Sequence, residues 1–309
     1  MQEGLNKIII IGGPTASGKS ELALKVADLT GGEIINADAI QVYKDLPILA
    51  AIPSEAEQKT VPHHLYGFLD YKVRFSVAEW LELSVKKINE LLAKGKAPIL
   101  VGGTGMYIHS LINGIREVQD IPKEVQLETN KLLETSGLSY LYGELQKIDT
   151  QLSEYFPKTD RNRTIRAFNL YKAFNITPTE YRNLPNKEFF SKDVFLNMIL
   201  SPAREGLYDN CNKRFFKMVE FGALDEVKRL KNLGATKGDP IAKTIGFKQF
   251  FDYLEGDIDQ TEAIEIASQE TRNFAKRQMT WFKNQLNENI DNIVKEDMIE
   301  LLKEFQNRC

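Results

Sequence analysis

Short apolar runs alternate with helical patterns along the first third of the chain. Residues 7–11 form a β-branched run that ends in the glycine pair Gly12 and Gly13, as expected of a buried parallel strand followed by a tight turn. Strands that alternate with helices predict an α/β fold with a parallel sheet. The same patterns place further strands at 33–38 and 97–101 and helices at 18–29 and 77–92.

The pattern changes in the middle of the chain. Helix-like stretches with polar surfaces fill 118–192 without a convincing strand, which indicates a mostly helical insertion domain. An apolar run at 193–200 predicts that the chain then returns to the sheet. Helices are expected from residue 205 onward, the last of them a solvated helix over 285–309 because acidic residues dominate there. The core predicted in this way consists of 1–117 and 193–309.

The composition is that of an ordinary globular protein. Of 309 residues, 42% are hydrophobic and 27% are charged, which argues against a disordered, collagen-like or disulfide-stapled chain. Cys211 and Cys309 are too few for a disulfide framework or a four-cysteine zinc site. The chain lacks an apolar signal core at its N-terminus and any run near the roughly 20 apolar residues of a membrane span. We expect a cytoplasmic protein without a membrane partner.

The charge distribution matters more than the net charge of −3, which alone argues against nucleic-acid binding because phosphate contacts need clustered Lys and Arg. Residues 158–172 carry five basic and one acidic side chain, and 271–283 carry four basic and none acidic. On a helix, Arg163 and Arg166 would share one face. A single charge run is more often a solvated face, but two of them beside aromatic residues favour an RNA-facing surface.

A phosphate-binding motif lies between the first predicted strand and the first helix. Residues 13–20 read GPTASGKS and match G-x-x-x-x-G-K-[ST] in the required context, which predicts a P-loop NTPase-like parallel sheet core. The glycines let backbone N–H groups converge on a diphosphate, Lys19 adds a positive charge, and Ser20 can ligate Mg²⁺. These contacts do not distinguish a nucleotide from another diphosphate. The predicted diphosphate-binding residues here are Gly13, Pro14, Thr15, Ala16, Ser17, Gly18, Lys19 and Ser20.

Three polar residues outside the motif are further candidates. Asp38 follows the second predicted strand, at the sheet edge where open α/β proteins bind ligands. Its carboxylate can ligate Mg²⁺, act as a general base or simply cap the following turn. Gln41 carries an amide that can bond the edge of an adenine base. Arg204, after the returning strand, is a candidate for the diphosphate, and a surface salt bridge explains it equally well.

Seven separated segments are informative together: 13–20, 36–43, 61–65, 101–107, 160–166, 245–249 and 271–282. In this order they resemble the tRNA dimethylallyltransferases, or tRNA isopentenyltransferases (the IPP transferase family). The resemblance covers residues 8 to about 283 and is far more specific than the phosphate loop alone. It implies transfer of a dimethylallyl group from dimethylallyl diphosphate to N6 of adenosine 37 in tRNA, with Mg²⁺, forming N6-(dimethylallyl)adenosine and releasing diphosphate.

The resemblance also implies catalytic roles for Asp38, Thr15 and Lys19. The exocyclic nitrogen of adenine is a poor nucleophile because its lone pair is delocalised, so Asp38 would take its proton during attack. Thr15 would contact the departing oxygen, and Lys19 would stabilise charge as the carbon–oxygen bond breaks. Gly102 and Gly103 would leave room for a substrate backbone. The matching tRNA-contacting residues are Asp38, Ala39, Ile40, Gln41, Thr104, Asn162, Arg163, Thr164, Ile165 and Arg166.

One segment departs from the family pattern. Residues 46–53 read LPILAAIP where the family commonly has a Gly-Thr-Ala-Lys-Pro-like stretch, so no substrate contact is assigned there. Two other functions stay open: a small-molecule kinase using ATP, which the phosphate loop and Asp38 would also serve, and a non-enzymatic nucleotide-dependent RNA-binding module. For the transferase, the expected partners are tRNA and dimethylallyl diphosphate, and the chain is expected to act as a monomer.

Overall fold

The computed structural model describes residues 7–285 and 291–308. The chain divides into two compact units, a larger one made of Met1–Asn113 and Glu188–Cys309 and a smaller one made of Gly114–Lys187. The boundaries drawn from the sequence, after residue 117 and before residue 193, lie a few residues further along the chain. The smaller unit is therefore inserted between two parts of the larger one.

A six-stranded parallel sheet forms the centre of the larger unit. The strands of both units, in chain order, are β1 (Ile8–Gly12), β2 (Glu33–Asn36), β3 (His63–His64), β4 (Pro98–Gly102), β5 (Ile115–Arg116), β6 (Asn186–Lys187), β7 (Phe195–Leu200) and β8 (Asp291–Lys295). The order in the sheet is β3-β2-β4-β1-β7-β8, while β5 and β6 form an antiparallel pair in the smaller unit. The predicted parallel α/β fold is confirmed.

Helices flank the sheet and make up most of the smaller unit. They are α1 (Lys19–Thr30), α2 (Glu55–Thr60), α3 (Val77–Ala93), α4 (Gly105–Asn113), α5 (Lys123–Ile148), α6 (Leu152–Tyr155), α7 (Arg161–Phe174), α8 (Pro178–Asn183), α9 (Arg204–Glu220), α10 (Ala223–Asn232), α11 (Phe247–Glu255), α12 (Gln260–Gln285) and α13 (Met298–Arg308). Within the described ranges, no helix combines the length and apolar character that a bilayer crossing requires.

Strand β1 lies between β4 and β7, and all five of its residues are buried. A continuous apolar run of this kind is typical of a parallel strand covered on both faces. Ile9 and Ile11 pack with α1 and α13 on one face, and the alternation of side chains turns Ile8 and Ile10 to the other. Helix α3 contacts β2 and β4. With both faces covered, the carboxyl ends of the strands are where an open α/β sheet can bind a ligand.

The C-terminal region differs from its prediction as a solvated helix over 285–309. Residues 291–295 instead form β8, which pairs in parallel with β7, and α13 buries Leu301 and Phe305 against the sheet. The acidic residues of this stretch obscure two apolar positions at i, i+4 spacing, which is the signal for a packed helix. Residues 286–290 and Cys309, part of the same prediction, lie outside the described residues.

The smaller unit has its own apolar core. Leu141 and Leu145 of α5 and Phe168 of α7 are buried in one cluster. Gly137 interrupts α5 with a left-handed φ of +80°, a conformation that glycine adopts without steric cost. Apart from the two short strands β5 and β6, the unit is helical, as predicted.

Candidate functional site

A cavity of about 810 Å³ lies at the carboxyl ends of β1, β2 and β4. All of its lining residues belong to the larger unit. The phosphate loop, the turn after β2, the loop after β4 and the helices α9 and α12 contribute its walls. The lining residues that carry polar or aromatic chemistry include Thr15, Ser17, Lys19, Ser20, Asp38, Thr104, Arg214, Phe274, Arg277, Gln278 and Trp281.

The phosphate loop is shaped by glycines at its two ends. Gly13 and Gly18 have φ values of +145° and +91°, which side-chain-bearing residues rarely adopt. A β-carbon at Gly13 would also lie 2.6 Å from the carbonyl oxygen of Leu200. Residues 15–20 line the cavity, whereas Gly13 and Pro14 form the turn that leads to it. The N-terminus of α1, where backbone N–H groups lack helical partners, therefore lies at the cavity.

Lys19 and Arg214 bring two cationic side chains to this end of the cavity. The ammonium group of Lys19 donates to the carbonyl oxygen of Pro14. Burial, followed by the nearby charge of Arg214, lowers the pKa of Lys19 to about 7, and Asp38 partly opposes the shift. Burial also lowers the pKa of Arg214. Two neighbouring, desolvated cations favour an anionic ligand such as a diphosphate, because it would stabilise both of their charged forms.

Arg214 was not predicted from the sequence. It lies on α9 next to the buried face formed by Leu207, Cys211 and Phe215. A cation beside such an apolar stripe is common on amphipathic helices, so this spacing alone does not mark a site residue. Its Nη1 donates to Oγ1 of Thr15 over 3.2 Å. Since that oxygen accepts from Arg214, the hydroxyl proton of Thr15 is available for donation to a ligand.

Asp38 both caps a turn and lines the cavity. Its Oδ1 accepts from the backbone N–H of Ile40 at 2.9 Å, and its own N–H donates to Oδ1 of Asn36 at 2.8 Å. The Thr104 hydroxyl accepts from the N–H of Ala39 at 3.0 Å and fixes the same turn. The other carboxylate oxygen, Oδ2, has no hydrogen bond to any residue that the structure describes. The turn therefore orients Asp38 and leaves one oxygen for chemistry.

The glycines after β4 make room for the protein itself. A β-carbon at Gly102 would lie 2.1 Å from the carbonyl oxygen of Ala37, and one at Gly103 would lie 2.0 Å from Nε2 of Gln278. Protein therefore occupies the side on which a side chain would lie, and the approach of a substrate backbone to these two cavity-lining glycines stays a prediction. The sequence pattern identified a close approach but not the approaching group.

The segment that departs from the family pattern, 46–53, forms an apolar wall of the cavity with its residues 49–53. Its backbone N–H groups at Ile48 and Leu49 donate to the buried carboxylate of Glu226 at 2.8 and 3.0 Å. Nε2 of Gln41 donates to the carbonyl oxygens of Ala50 and Ala51 at 3.2 and 2.6 Å. The amide nitrogen of Gln41 thus supports this wall, and a bond from it to an adenine edge would require breaking those contacts.

Other predicted site residues lie elsewhere. Arg204 begins α9, is exposed and is not part of the cavity lining. The predicted tRNA-contacting run 162–166 lies in α7 of the smaller unit. Thr164 is fully buried and its hydroxyl donates to the carbonyl oxygen of Asp160, so a side-chain contact between Thr164 and tRNA is excluded in this conformation. The exposed members of the run are Asn162, Arg163 and Arg166.

Comparison with known proteins identifies relatives along almost the whole chain. The tRNA dimethylallyltransferase of Pelagibacter ubique (strain HTCC1062) is 42% identical over 281 residues, covering 91% of this chain and 90% of the relative. That of Rickettsia bellii (strain OSU 85-389) is 38% identical over 302 residues, covering 97% and 95%.

Solved structures and a family model agree with these relatives. The full-length tRNA isopentenylpyrophosphate transferase of Bacillus halodurans superposes with a TM-score of 0.70 at 31% identity, covering 98% of this chain and 95% of that one. A eukaryotic dimethylallyltransferase acting on tRNA gives a TM-score of 0.81 at 28% identity, covering 98% and 77%. Residues 41–285 match the model of the IPP transferases. The chain therefore belongs to the IPP transferase family.

Proposed function

We propose that this protein transfers the dimethylallyl group of dimethylallyl diphosphate to N6 of adenosine 37 in tRNA, forming N6-(dimethylallyl)adenosine and releasing diphosphate. One observation carries the proposal: in a member of the IPP transferase family, a phosphate loop with two cations and a carboxylate line the same cavity. Action as a monomer in the cytoplasm is part of the proposal. The reaction breaks the bond between the allylic carbon and the diphosphate oxygen and forms a carbon–nitrogen bond.

The leaving group occupies the end of the cavity formed by the phosphate loop. Negative charge grows on the diphosphate as the carbon–oxygen bond breaks, and donors fixed beforehand stabilise it without reorganisation. Lys19, Arg214 and the N-terminal amides of α1 supply that positive potential. The Thr15 hydroxyl, held as an acceptor by Arg214, donates its own proton to the departing oxygen.

The adenine amine is activated by Asp38. The exocyclic nitrogen gains nucleophilicity when its proton is removed during attack, and a general base contributes about 10²–10⁴-fold to such a step. The Oδ2 atom of Asp38 takes that proton while Oδ1 keeps the turn in place through Ile40. The base and the cationic end thus act on the two bonds that change.

Mg²⁺ is the proposed cofactor, and the residues present fit it. The ion prefers hard oxygen ligands and usually keeps substrate phosphates and water in its coordination shell. The exposed hydroxyl of Ser20 lines the cavity, and the hydroxyl oxygen of Ser17 is buried without a partner among the described residues. Ser20 would hold the ion beside the diphosphate, whose charge Mg²⁺ neutralises when bound.

The tRNA is proposed to contact both basic segments. Single-stranded bases are recognised when they are splayed out and stacked on aromatic or guanidinium planes. Phe274, Arg277 and Trp281 of α12 line the cavity, and the Arg277 guanidinium lies 5.7 Å from the centre of the Phe274 ring. In the smaller unit, Asn162, Arg163 and Arg166 of α7 expose polar and basic side chains. The residues of α12 suit stacking on a base, and those of α7 suit contacts with phosphates.

The test is prenyl transfer to an unmodified tRNA anticodon stem-loop. The protein is incubated with dimethylallyl diphosphate and Mg²⁺, the RNA is digested to nucleosides, and dimethylallyl adenosine is sought by mass spectrometry. A stem-loop with guanosine at position 37 is the matched control and should stay unmodified. Absence of product together with ATP turnover on a small acceptor would overturn the proposal in favour of a kinase. RNA binding without either reaction would indicate a binding module.

A further inference from the structure

Gln278 of α12 joins two loops of the candidate site. Its side chain is 5% exposed. Oε1 accepts from the backbone N–H of Thr15 at 2.8 Å, and Nε2 donates to the carbonyl oxygen of Gly103 at 2.9 Å. One amide group therefore connects α12, the phosphate loop and the loop after β4. The Thr15 N–H is consequently directed at the protein and away from a bound diphosphate.

The helix that carries Gln278 is seated on glycines at the strand ends. A β-carbon at Gly12 would lie 2.5 Å from the ring of Phe282, and one at Gly105 would lie 2.3 Å from the ring of Trp281. The corresponding distance between Gly103 and Nε2 of Gln278 is 2.0 Å. The side chains of Gln278, Trp281 and Phe282 on α12 thus occupy the space that a side chain at any of these three glycines would need. This seating fixes where the Gln278 amide can lie.

Thr15 is held from two directions. Gln278 accepts its backbone N–H, and Nη1 of Arg214 donates to its hydroxyl oxygen over 3.2 Å. The first contact fixes the peptide plane, and the second fixes the side chain. Thr15 is also followed by Ala16, which has a left-handed φ of +61°. An alanine has a steric cost in that region, so the loop depends on outside contacts to keep its shape.

We propose that Gln278 is a positioning residue that orients Thr15 for the departing diphosphate oxygen, an inference that rests on the proposed prenyl transfer. The position requires an acceptor for Thr15 and a donor for Gly103 on one planar group. A glutamine amide supplies both, a glutamate lacks the donor, and a methionine of similar length offers no donor and only a weak sulfur acceptor. Gln278 acts through Thr15 and does not itself touch the reacting atoms.

A double-mutant cycle tests this assignment. Gln278→Met is made in the natural chain and in a Thr15→Ala background, and single-turnover rates of prenyl transfer are measured with both substrates saturating. Loss of the hydrogen bond between the Thr15 N–H and Gln278 should lower the rate about tenfold in the natural chain. In the Thr15→Ala background the loss should be under about twofold, because residues that act through one another are not additive. Equal losses in the two backgrounds would mean that Gln278 is only structural.

Controls separate positioning from general damage. Gln260→Met replaces an exposed glutamine at the first residue of α12, five turns earlier, and should leave the rate unchanged. If Gln278→Met does not fold, Gln278→Asn, whose shorter side chain withdraws the amide from both partners, enters the same cycle. Titration with inorganic diphosphate repeats the cycle as a binding measurement. A natural chain that binds diphosphate but transfers no prenyl group contradicts the proposed function, whereas additive losses of diphosphate affinity contradict the role of Gln278.

Discussion

At the scale of single residues, Asp38 caps a turn and is also the proposed general base. Its Oδ1 accepts from the N–H of Ile40 and caps the turn, while Oδ2 is the oxygen proposed to take the proton from adenine. Asp38→Asn keeps an oxygen for the cap but cannot serve as a base at neutral pH. We expect kcat to fall by about 10²–10⁴-fold, with the Kd for tRNA nearly unchanged. Steady-state kinetics and filter binding of the same stem-loop measure the two effects.

Asp70 provides the control for this substitution. Its Oδ1 caps the equivalent turn, accepting from the N–H of Lys72 at 3.2 Å, and it does not line the cavity. Asp70→Asn should therefore change neither kcat nor tRNA binding. Equal loss of both quantities in Asp38→Asn would show that this carboxylate positions the RNA and does not act as the base.

We expect diphosphate binding to depend on pH through Lys19. Its pKa in the empty site is about 7, mainly because of burial, and a bound diphosphate stabilises the charged ammonium and raises that pKa. Binding above pH 7 must therefore take up a proton, so affinity gained from Lys19 is full below pH 7 and is lost as the pH rises above it. Calorimetry with inorganic diphosphate at pH 7.5 in two buffers of different ionisation enthalpy should detect the uptake.

The comparison variant for this experiment is Lys19→Arg, which keeps its charge over the whole range. The protonation of diphosphate itself is common to both proteins, so the difference between them isolates Lys19. An identical pH dependence in the two proteins would show that Lys19 is already fully charged in the empty site.

At the scale of elements, α10 holds the unusual wall of the cavity. Glu226 accepts from two consecutive backbone N–H groups, Ile48 and Leu49, in a segment without regular structure. In Glu226→Gln one of them would face an NH₂ group, and an unpaired buried donor costs about 1–3 kcal/mol. We expect the free energy of unfolding to fall by that amount, as measured by urea denaturation. Because residues 49–53 form an apolar wall of the cavity, we further propose that the prenyl chain packs there and expect the KM for dimethylallyl diphosphate to rise in steady-state kinetics.

The neighbouring residue Asp225 offers a charge-matched control. It lies exposed in the first turn of α10, so Asp225→Asn should leave KM unchanged. A Glu226→Gln variant with the natural KM would mean that residues 49–53 do not contact the prenyl substrate.

At the scale of the whole molecule, the sequence predicts what is periodic and local. The strand–loop–helix at β1 and α1 was predicted closely because a β-branched run, a glycine motif and helical spacing all indicate it. Arg214 and Gln278 were missed as site residues, since their contacts with Thr15 span 199 and 263 residues. Long-range packing creates these contacts, and no local sequence pattern indicates them. The strand β8 was missed for a different reason, because acidic neighbours in the sequence obscure its apolar residues.

We expect tRNA affinity to be distributed over the molecule, because the smaller unit carries the basic segment 158–172 and the larger unit carries 271–283. Arg163 is engaged within its own unit, with Nη1 donating to the carbonyl oxygen of Tyr155 at 3.3 Å and Nε lying 3.4 Å from Asp160. Arg166 is exposed and has no polar partner among the described residues. Arg166→Ala should therefore weaken tRNA binding more than Arg163→Ala. Removing one arginine–phosphate interaction should flatten the slope of log K against log salt concentration by about 0.7–0.9.

Filter binding at several salt concentrations separates this charge effect from misfolding. Lys86 and Lys94 are exposed on and just after α3, outside the cavity and both basic segments. The double substitution of these lysines by alanine changes the net charge as much as Arg163→Ala with Arg166→Ala, yet should leave the slope unchanged. If both double variants flatten the slope equally, the RNA senses only the net charge of the protein, and α7 is not a specific contact. If neither does, α7 carries no phosphate contact, and the RNA is bound by the larger unit alone.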